Sequence, residues 1–225
     1  LDVPATNRYA RIVLEQTRLP WRARRHHLDV LWSPGYTCPR FCGCPQVVSI
    51  LDMQYKAHPE DLGPLARLTT DILIRIAVRR ARRLIAISEF SKQEIVHHTG
   101  AAPDRIAVTP LAAAPDFAVP VPPETKQAAV RRLLGSEAPF ILSVANSYPH
   151  KDLHTLVQAF SQLAAQAPHR LVLVGKPRLG EPLLQNAIAG LPDAARLIRL
   201  PGLSRPDLIA LYQAAELFVF PSLYE

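Results

Sequence analysis

The sequence has no apolar run long enough to cross a bilayer, no opening signal segment and no initiator methionine. No membrane-spanning helix is therefore expected, and the chain as given does not open on a signal peptide. The third absence, an abrupt start at Leu1, leads to the expectation that residues precede the chain. Aromatic residues are scarce at 7% and are not interleaved with the basic ones. A nucleic-acid surface needs that interleaving, so nucleic acid is excluded as a partner. Cysteine is limited to three residues, Cys38, Cys42 and Cys44, within CPRFCGCP. The spacing is not the paired C-x2-C of a zinc ribbon, and no fourth ligand stands at a standard distance, so no metal site is assigned. Free thiols in a reducing compartment are the expectation.

Familiar site motifs are also missing. No G-x-G-x-x-G follows an apolar run, which argues against a dinucleotide site. Gly175 and Gly180 have the spacing of a phosphate loop, but Glu181-Pro182 stands where Lys-Ser/Thr is required. Neither a nucleophile elbow nor H-E-x-x-H occurs.

What is present is a globular chain of 225 residues, 48% hydrophobic and 20% charged, enough for one large domain or two smaller ones. The net charge of +7 is concentrated early, in Trp21 to His27 and Arg79 to Arg83. Such clusters suit anionic lipid or phosphorylated substrates, whereas Arg79 to Arg83 reads more simply as the solvated side of a helix.

Short apolar runs alternate with helical patterns along the whole chain. Helices are expected over residues 5–19 (Tyr9, Ile12, Val13, Gln16 and Leu19 along one side) and 65–83 (Leu65, Leu68, Ile72, Leu73 and Ile76 inward). Ser91 to Glu94 reads as a capping box opening a helix that Gly100 closes. Strands are expected at 28–32, 47–51, 84–87 and 106–109. Residues 110–123, rich in proline and alanine, read as a linker. Beyond it, a helix over 124–134 ends at Gly135, and strands at 140–145, 171–174, 197–200 and 217–220 alternate with helices over 152–166, 182–189 and from the Ser204 cap. The fold class is therefore α/β: two doubly wound parallel units, residues 1–118 and 119–225. Ligands in such sheets bind beyond the carboxyl ends of the strands, in the loops after 145, 175, 200 and 220.

The most informative stretch is Phe140 to Phe160. An apolar strand is followed by a short polar loop and a helix, and the loop delivers Lys151 to the expected first helical turn. A cation there opposes the helix dipole, and an anion held by Lys151 and the free N–H groups would remove the conflict. The plainer reading is a solvated lysine tolerated beside Asp152.

Five stretches, LIAISEFSKQEIV, DRIAVTPLAAAPDF, ILSVANSYPHKDLHTLVQAF, LVLVG and AELFVFPSLYE, occur in the order seen in one family. Together they resemble the retaining GT-B glycosyltransferases of family 4, over nearly the whole chain from about residue 28. The resemblance implies two Rossmann-like domains, a nucleotide sugar (UDP- or GDP-linked) bound mainly by the second, no obligatory metal and no separate cofactor. It implies a hexose transferred with retention to a glycan or lipid-linked acceptor by a cytoplasmic enzyme. The basic run Trp21 to His27 separately suggests peripheral contact with the anionic inner face of the membrane. By the family resemblance Lys151 contacts the donor pyrophosphate, and Asn146 stands where many members have arginine. Gly202 and Leu203, in the Pro201-Gly202-Leu203 loop, lie near the base, and Glu225 is the first glutamate of an E-x7-E motif near the transferred sugar. Leu51-Asp52 stands where relatives usually show His-Asp, so the chain must do without that histidine or use a neighbour such as Asp52 or His58 in its place. The pattern also implies a chain cut at both ends and inactive by itself. Rival readings are a non-catalytic sugar-nucleotide or protein-binding module, favoured by Leu51, and a sugar-nucleotide epimerase of similar build.

Overall fold

The computed structural model describes residues 8–224, with side chains from residue 10. The chain divides into two compact units, one through Ala112 and one from Ala113.

In the first unit the order is α1 (Arg8–Arg25), β1 (Leu31–Ser33), β2 (Gln46–Ser49), α2 (Gln54–Ala57), α3 (Pro64–Arg80), β3 (Arg83–Ala86), α4 (Glu89–Thr99) and β4 (Ile106–Val108). The strands lie in the order β1-β2-β3-β4, all parallel, in register Val48 with Leu84 and Leu84 with Ile106. Val48, Ile50, Ile74, Leu84 and Ile95 are wholly enclosed. Burying one such side chain stabilises by about 1.5–3 kcal/mol.

The second unit runs α5 (Pro123–Leu134), β5 (Phe140–Val144), α6 (Leu153–Leu163), β6 (Arg170–Val174), α7 (Glu181–Ala189), β7 (Leu197–Leu200), α8 (Arg205–Ala214) and β8 (Leu217–Phe218). Its sheet is parallel in the order β7-β6-β5-β8. Alternation along β5 and β6 feeds two cores. Ile141, Leu171 and Leu173 meet Leu156, Val157 and Phe160 of α6 and Leu184 of α7. Phe140, Leu142, Val172 and Val174 meet Val130 and Leu134 of α5 and Leu211 of α8. Helices thus cover both faces, as the continuous apolar strands require.

Several expectations change. Helix α1 runs on to Arg25 through Pro20 and absorbs most of the basic cluster. It buries Ala23, while Val13 points outward at 58% exposure, and Tyr9 lies outside the described side chains. On α3 Leu73 is buried as expected and Ile76 half-buried, but the rest of the inward face is Ile74, Ala77 and Val78, whereas Leu65, Leu68 and Ile72 are exposed. Two apolar stripes run along that helix, so periodicity alone did not choose between them. The cap of α4 is Ser88, whose hydroxyl accepts the Ser91 N–H at 3.0 Å. Ser91 is instead buried and donates to the Leu51 carbonyl at 2.8 Å. Gly100 and Gly135 close α4 and α5 in the left-handed conformation, as expected.

The proline-rich segment is fastened to the second unit from Pro115 onward. Gln213 of α8 donates to the carbonyls of Phe117 (3.3 Å) and Val119 (2.8 Å) and accepts the Val121 N–H. Phe117 lies 5.7 Å from the Tyr212 ring, and Asp116 pairs with Arg205. Residues 217–220, apolar on both faces, suit a central parallel strand. Among the described residues β8 lies at the sheet edge, with Leu217 53% and Phe218 43% exposed.

Candidate functional site

The carboxyl ends of β5, β6, β7 and β8 bring four loops to one edge of the second sheet. Parallel pairing runs on past the strands: Ala145 donates to the Val174 carbonyl, Gly175 to Leu200 and Val219 to Leu142, each at 2.9 Å. These bonds fix the loop roots at one level.

Loops 145–152 and 175–180 are then locked by side chains. The Asn146 carboxamide oxygen accepts the Lys176 N–H at 2.9 Å. Buried Ser147 accepts the Arg178 N–H at 2.8 Å through its hydroxyl and donates to Glu181 at 2.7 Å, while its carbonyl takes the Gly180 N–H at 2.7 Å. Glu181 is gripped by both terminal nitrogens of Arg199 on β7 and by Gln185. The Arg199 hydrogen bond outweighs the opposing effect of burial, with help from Gln185 and Ser147, and the Glu181 carboxyl falls to about 2. Two glycines make the approach possible. A β-carbon at residue 180 would meet the Ser147 carbonyl oxygen at 2.7 Å, and one at residue 175 would be closer still to Ala145.

Lys151 is displaced from its expected place. It ends a short 3-10 turn (Pro149–Lys151), and α6 begins only at Leu153, with Asp152 as a left-handed cap at φ 49°. The lysine thus precedes the first turn of α6, and its Nζ stands 5.0 Å from the Phe220 ring centroid in the loop after β8. Asp152 is engaged by Thr155 at 2.8 Å and His154 at 3.1 Å. Beneath this loop His150 is buried, its ring stacked on Tyr148 at 5.6 Å. Its carbonyl accepts from Leu223 N–H (2.8 Å) and the Ser222 hydroxyl (3.3 Å). The loop after β5 is therefore joined to the loop after β8 as well as to the loop after β6.

Gly202 and Leu203 follow β7, two strands from β5 on the same edge. Gly202 is exposed, whereas the Leu203 side chain packs into the core on the α5 and α8 side. Glu225 lies outside the described residues. Sequence reasoning passed over Ser147, His150 and Glu181. Only their partners, eighteen to seventy-three residues away, give them a role, and no local pattern carries that. It also passed over the exposed cation Lys176, which sits beside Asn146 on this edge.

On the first unit, Asp52 follows β2. Its two oxygens accept the Tyr36 hydroxyl at 2.7 Å and the Gln54 N–H at 3.1 Å. Both hold the turn into α2, and Tyr36 adopts a left-handed φ of 62° to reach it. Leu51 is half-buried, and His58 faces Glu60 at 3.1 Å. Nearby, Asp71 receives Tyr55 (3.0 Å), Lys56 (2.6 Å) and Arg75 (2.8 Å). Burial pushes its carboxyl up, but the donors from Lys56, Arg75 and Tyr55 together prevail and hold it at about 2. Among the described residues, no cluster of three or more His, Cys, Asp or Glu is arranged to hold a metal ion, and no helix is long and apolar enough to cross a membrane.

Residues 2–117 match the family model described as Glycosyltransferase Family 4, and residues 126–225 match the model described as Glycosyl transferases group 1. The chain belongs to glycosyltransferase family 4. It is 35% identical over 150 residues to a serotype-specific mannosyltransferase WbdA of Escherichia coli, covering 65% of this chain and 18% of that protein. It is 28% identical over 147 residues to an O-antigen chain mannosyltransferase B of Escherichia coli, covering 64% and 38%. Among solved structures, Anabaena Alr3699/HepE in complex with UDP and glucose superposes with a TM-score of 0.72 at 19% identity, over 91% of this chain and 55% of that one. WaaG, a glycosyltransferase involved in lipopolysaccharide biosynthesis, superposes with a TM-score of 0.68 at 16% identity, over 98% and 60%. These superpositions assign this glycosyltransferase family 4 chain the GT-B type of α/β fold. The chain spans less than a fifth of WbdA and little more than half of the solved structures.

Proposed function

We propose that the protein containing this chain transfers a hexose from a UDP- or GDP-linked sugar to a glycan or lipid-linked acceptor, with retention and without a required metal. The observation that carries this reading is the locked carboxyl edge of the second sheet. There Lys151, the first turn of α6 and exposed Lys176 gather positive charge on a frame of buried bonds. A leaving diphosphate develops negative charge, and fixed donors aimed at that charge are the largest expected contribution to such catalysis. Lys151 and the α6 amides are proposed to meet the diphosphate. Asn146 works through its bond to Lys176, which restores a cation where the family arginine is missing. Gly202 leaves room for the base, and Glu225 positions the sugar hydroxyls. The names of the mannosyltransferase relatives favour mannose as the hexose.

Asp52 is proposed as a positioning residue on the acceptor side, because its oxygens already hold Tyr36 and Gln54. That same engagement favours the second reading, a binding module without turnover. The basic end of α1, with Trp21 57% exposed, is proposed to rest on an anionic membrane from the cytoplasmic side.

The deciding experiment uses the complete protein, a panel of UDP- and GDP-hexoses and lipid-linked acceptors, with and without chelator. Transfer with the donor's anomeric configuration kept, unaffected by chelator, is expected. Tight nucleotide binding with neither transfer nor donor hydrolysis would establish the binding module, and donor isomerisation without an acceptor the epimerase. Sedimentation with anionic vesicles at low and high salt tests the membrane contact, which fails if binding is absent at both.

A further inference from the structure

The three thiols of the first unit have different surroundings. Cys38 is buried, and burial pushes its thiol up to about 12, so it is inert at neutral pH. Cys42 and Cys44 are half-buried, and their sulfur atoms lie 3.5 Å apart without a bond. A disulfide would bring them to about 2.05 Å, a closure of about 1.5 Å. The intervening Gly43 has open space around it, so the loop can absorb that movement.

The pair sits where the loop enters β2 and where α3 ends at Arg80, at the amino edge of the first sheet. Asp52 follows β2 at the opposite, carboxyl edge. The thiols line a groove of about 570 Å³ whose walls include Trp21, Arg24, Arg40, Phe41 and Arg80, with no carboxylate among its lining residues. The guanidinium carbons of Arg40 and Arg80 each stand 5.3 Å from the centre of the Phe41 ring. Three cations beside a dithiol favour an incoming reagent that is itself negatively charged.

We propose that Cys42 and Cys44 form a reversible dithiol–disulfide site that reacts with small, carboxylate-bearing disulfides of the glutathione type, drawn in by Arg24, Arg40 and Arg80. The Cys42 thiolate, its proton lost to solvent, bonds to one sulfur of the small disulfide. The old S–S bond breaks, and one thiolate leaves with the electron pair. Cys44, deprotonated in turn, then attacks the Cys42 sulfur and releases the second thiolate. The protein gives up two electrons and two protons, and the small disulfide becomes two thiols. Burial, the adjacent Cys42 and Asp29 push the Cys44 thiol up, which supports Cys42 as the first thiol to react. A disulfide spanning a single residue is strained and therefore readily reduced again. The inference rests on the first unit alone and does not depend on the proposed transfer reaction.

The test exposes the reduced protein to equal concentrations of glutathione disulfide, neutral hydroxyethyl disulfide and cationic cystamine, and then maps the modified peptides by mass. The expected result is a Cys42–Cys44 disulfide with Cys38 still reduced. Glutathione disulfide should react about tenfold faster than hydroxyethyl disulfide at low salt, cystamine slowest, with the rates converging at high salt. Arg40→Gln with Arg80→Gln should narrow the preference, and Cys44→Ser should stop the reaction at a mixed disulfide on Cys42. Equal native-state rates for the three reagents would overturn the groove's role. A mixed disulfide persisting in the unsubstituted protein, or Cys38 reacting alongside, would overturn the pair.

Discussion

The carbonyl oxygen of Ala145 lies 2.0 Å from the point where a β-carbon on residue 175 would stand, so the first loops of β5 and β6 fit together only because residue 175 is Gly175. Backbone at that distance cannot turn aside as a flexible side chain can. The two loops concerned carry Asn146, Lys151 and Lys176, so this one approach sets the spacing of the proposed diphosphate site.

Gly175→Ala should therefore separate the two loops. We expect a loss of about 3 kcal/mol, visible as a melting temperature lower by about 10 °C, together with weaker nucleotide binding. A melting temperature within about 2 °C of the parent would show that the loops tolerate displacement.

Lys151→Ala removes a cation at the mouth of α6 without touching the core. In the complete protein, binding of UDP or GDP measured by calorimetry should weaken by about 10- to 150-fold, the equivalent of losing one charged hydrogen bond of roughly 1.5–3 kcal/mol. Unfolding should not change. Unaltered nucleotide affinity would return Lys151 to a surface lysine packed on Phe220.

Glu181 and Asp71 are both held at about 2 in the folded chain, below the value of a free carboxyl. A carboxyl depressed by folding contributes stability that is complete above its unfolded pKa and is lost as pH falls through the folded one. Urea unfolding should therefore show stability declining from about pH 5 towards pH 2. Glu181→Gln should be less stable than the parent at pH 7 and should flatten that decline. Parallel pH profiles for parent and variant would contradict the Arg199–Glu181 pairing.

The bond between Tyr36 and Asp52 gives a test of what Asp52 does. Tyr36→Phe and Asp52→Asn should each cost about 1 kcal/mol, and the double variant should cost less than the sum, since both remove one interaction. Strict additivity would free Asp52 from the turn and restore it as a candidate for chemistry on the acceptor side.

Much of the fold is legible in the residue order because it depends on local periodicity. The apolar runs at Phe140 and Leu171 suit doubly buried strands, and Gly100 and Gly135 mark helix ends by a backbone conformation that other residues resist. The same reading placed Leu73 correctly on the inner face of α3 but added Leu65, Leu68 and Ile72, which are spaced as well as Ile74, Ala77 and Val78. Only the strands beneath the helix favour the second set. It also brought Lys151 up to the first turn of α6, since nothing in the letters shows that Asp152 turns left-handed and delays the helix to Leu153.

By itself, then, the sequence determined the α/β alternation, the two units and the edge on which loops gather, because hydrophobic period and turn chemistry act over a few residues. The tertiary structure decided which polar groups make the site. Ser147 meets Glu181, Glu181 meets Arg199, His150 holds Ser222 and Leu223, and Tyr36 holds Asp52. Each of these bonds joins residues 16 to 73 positions apart, and a buried donor or acceptor is satisfied only by whatever the packed sheet brings within reach.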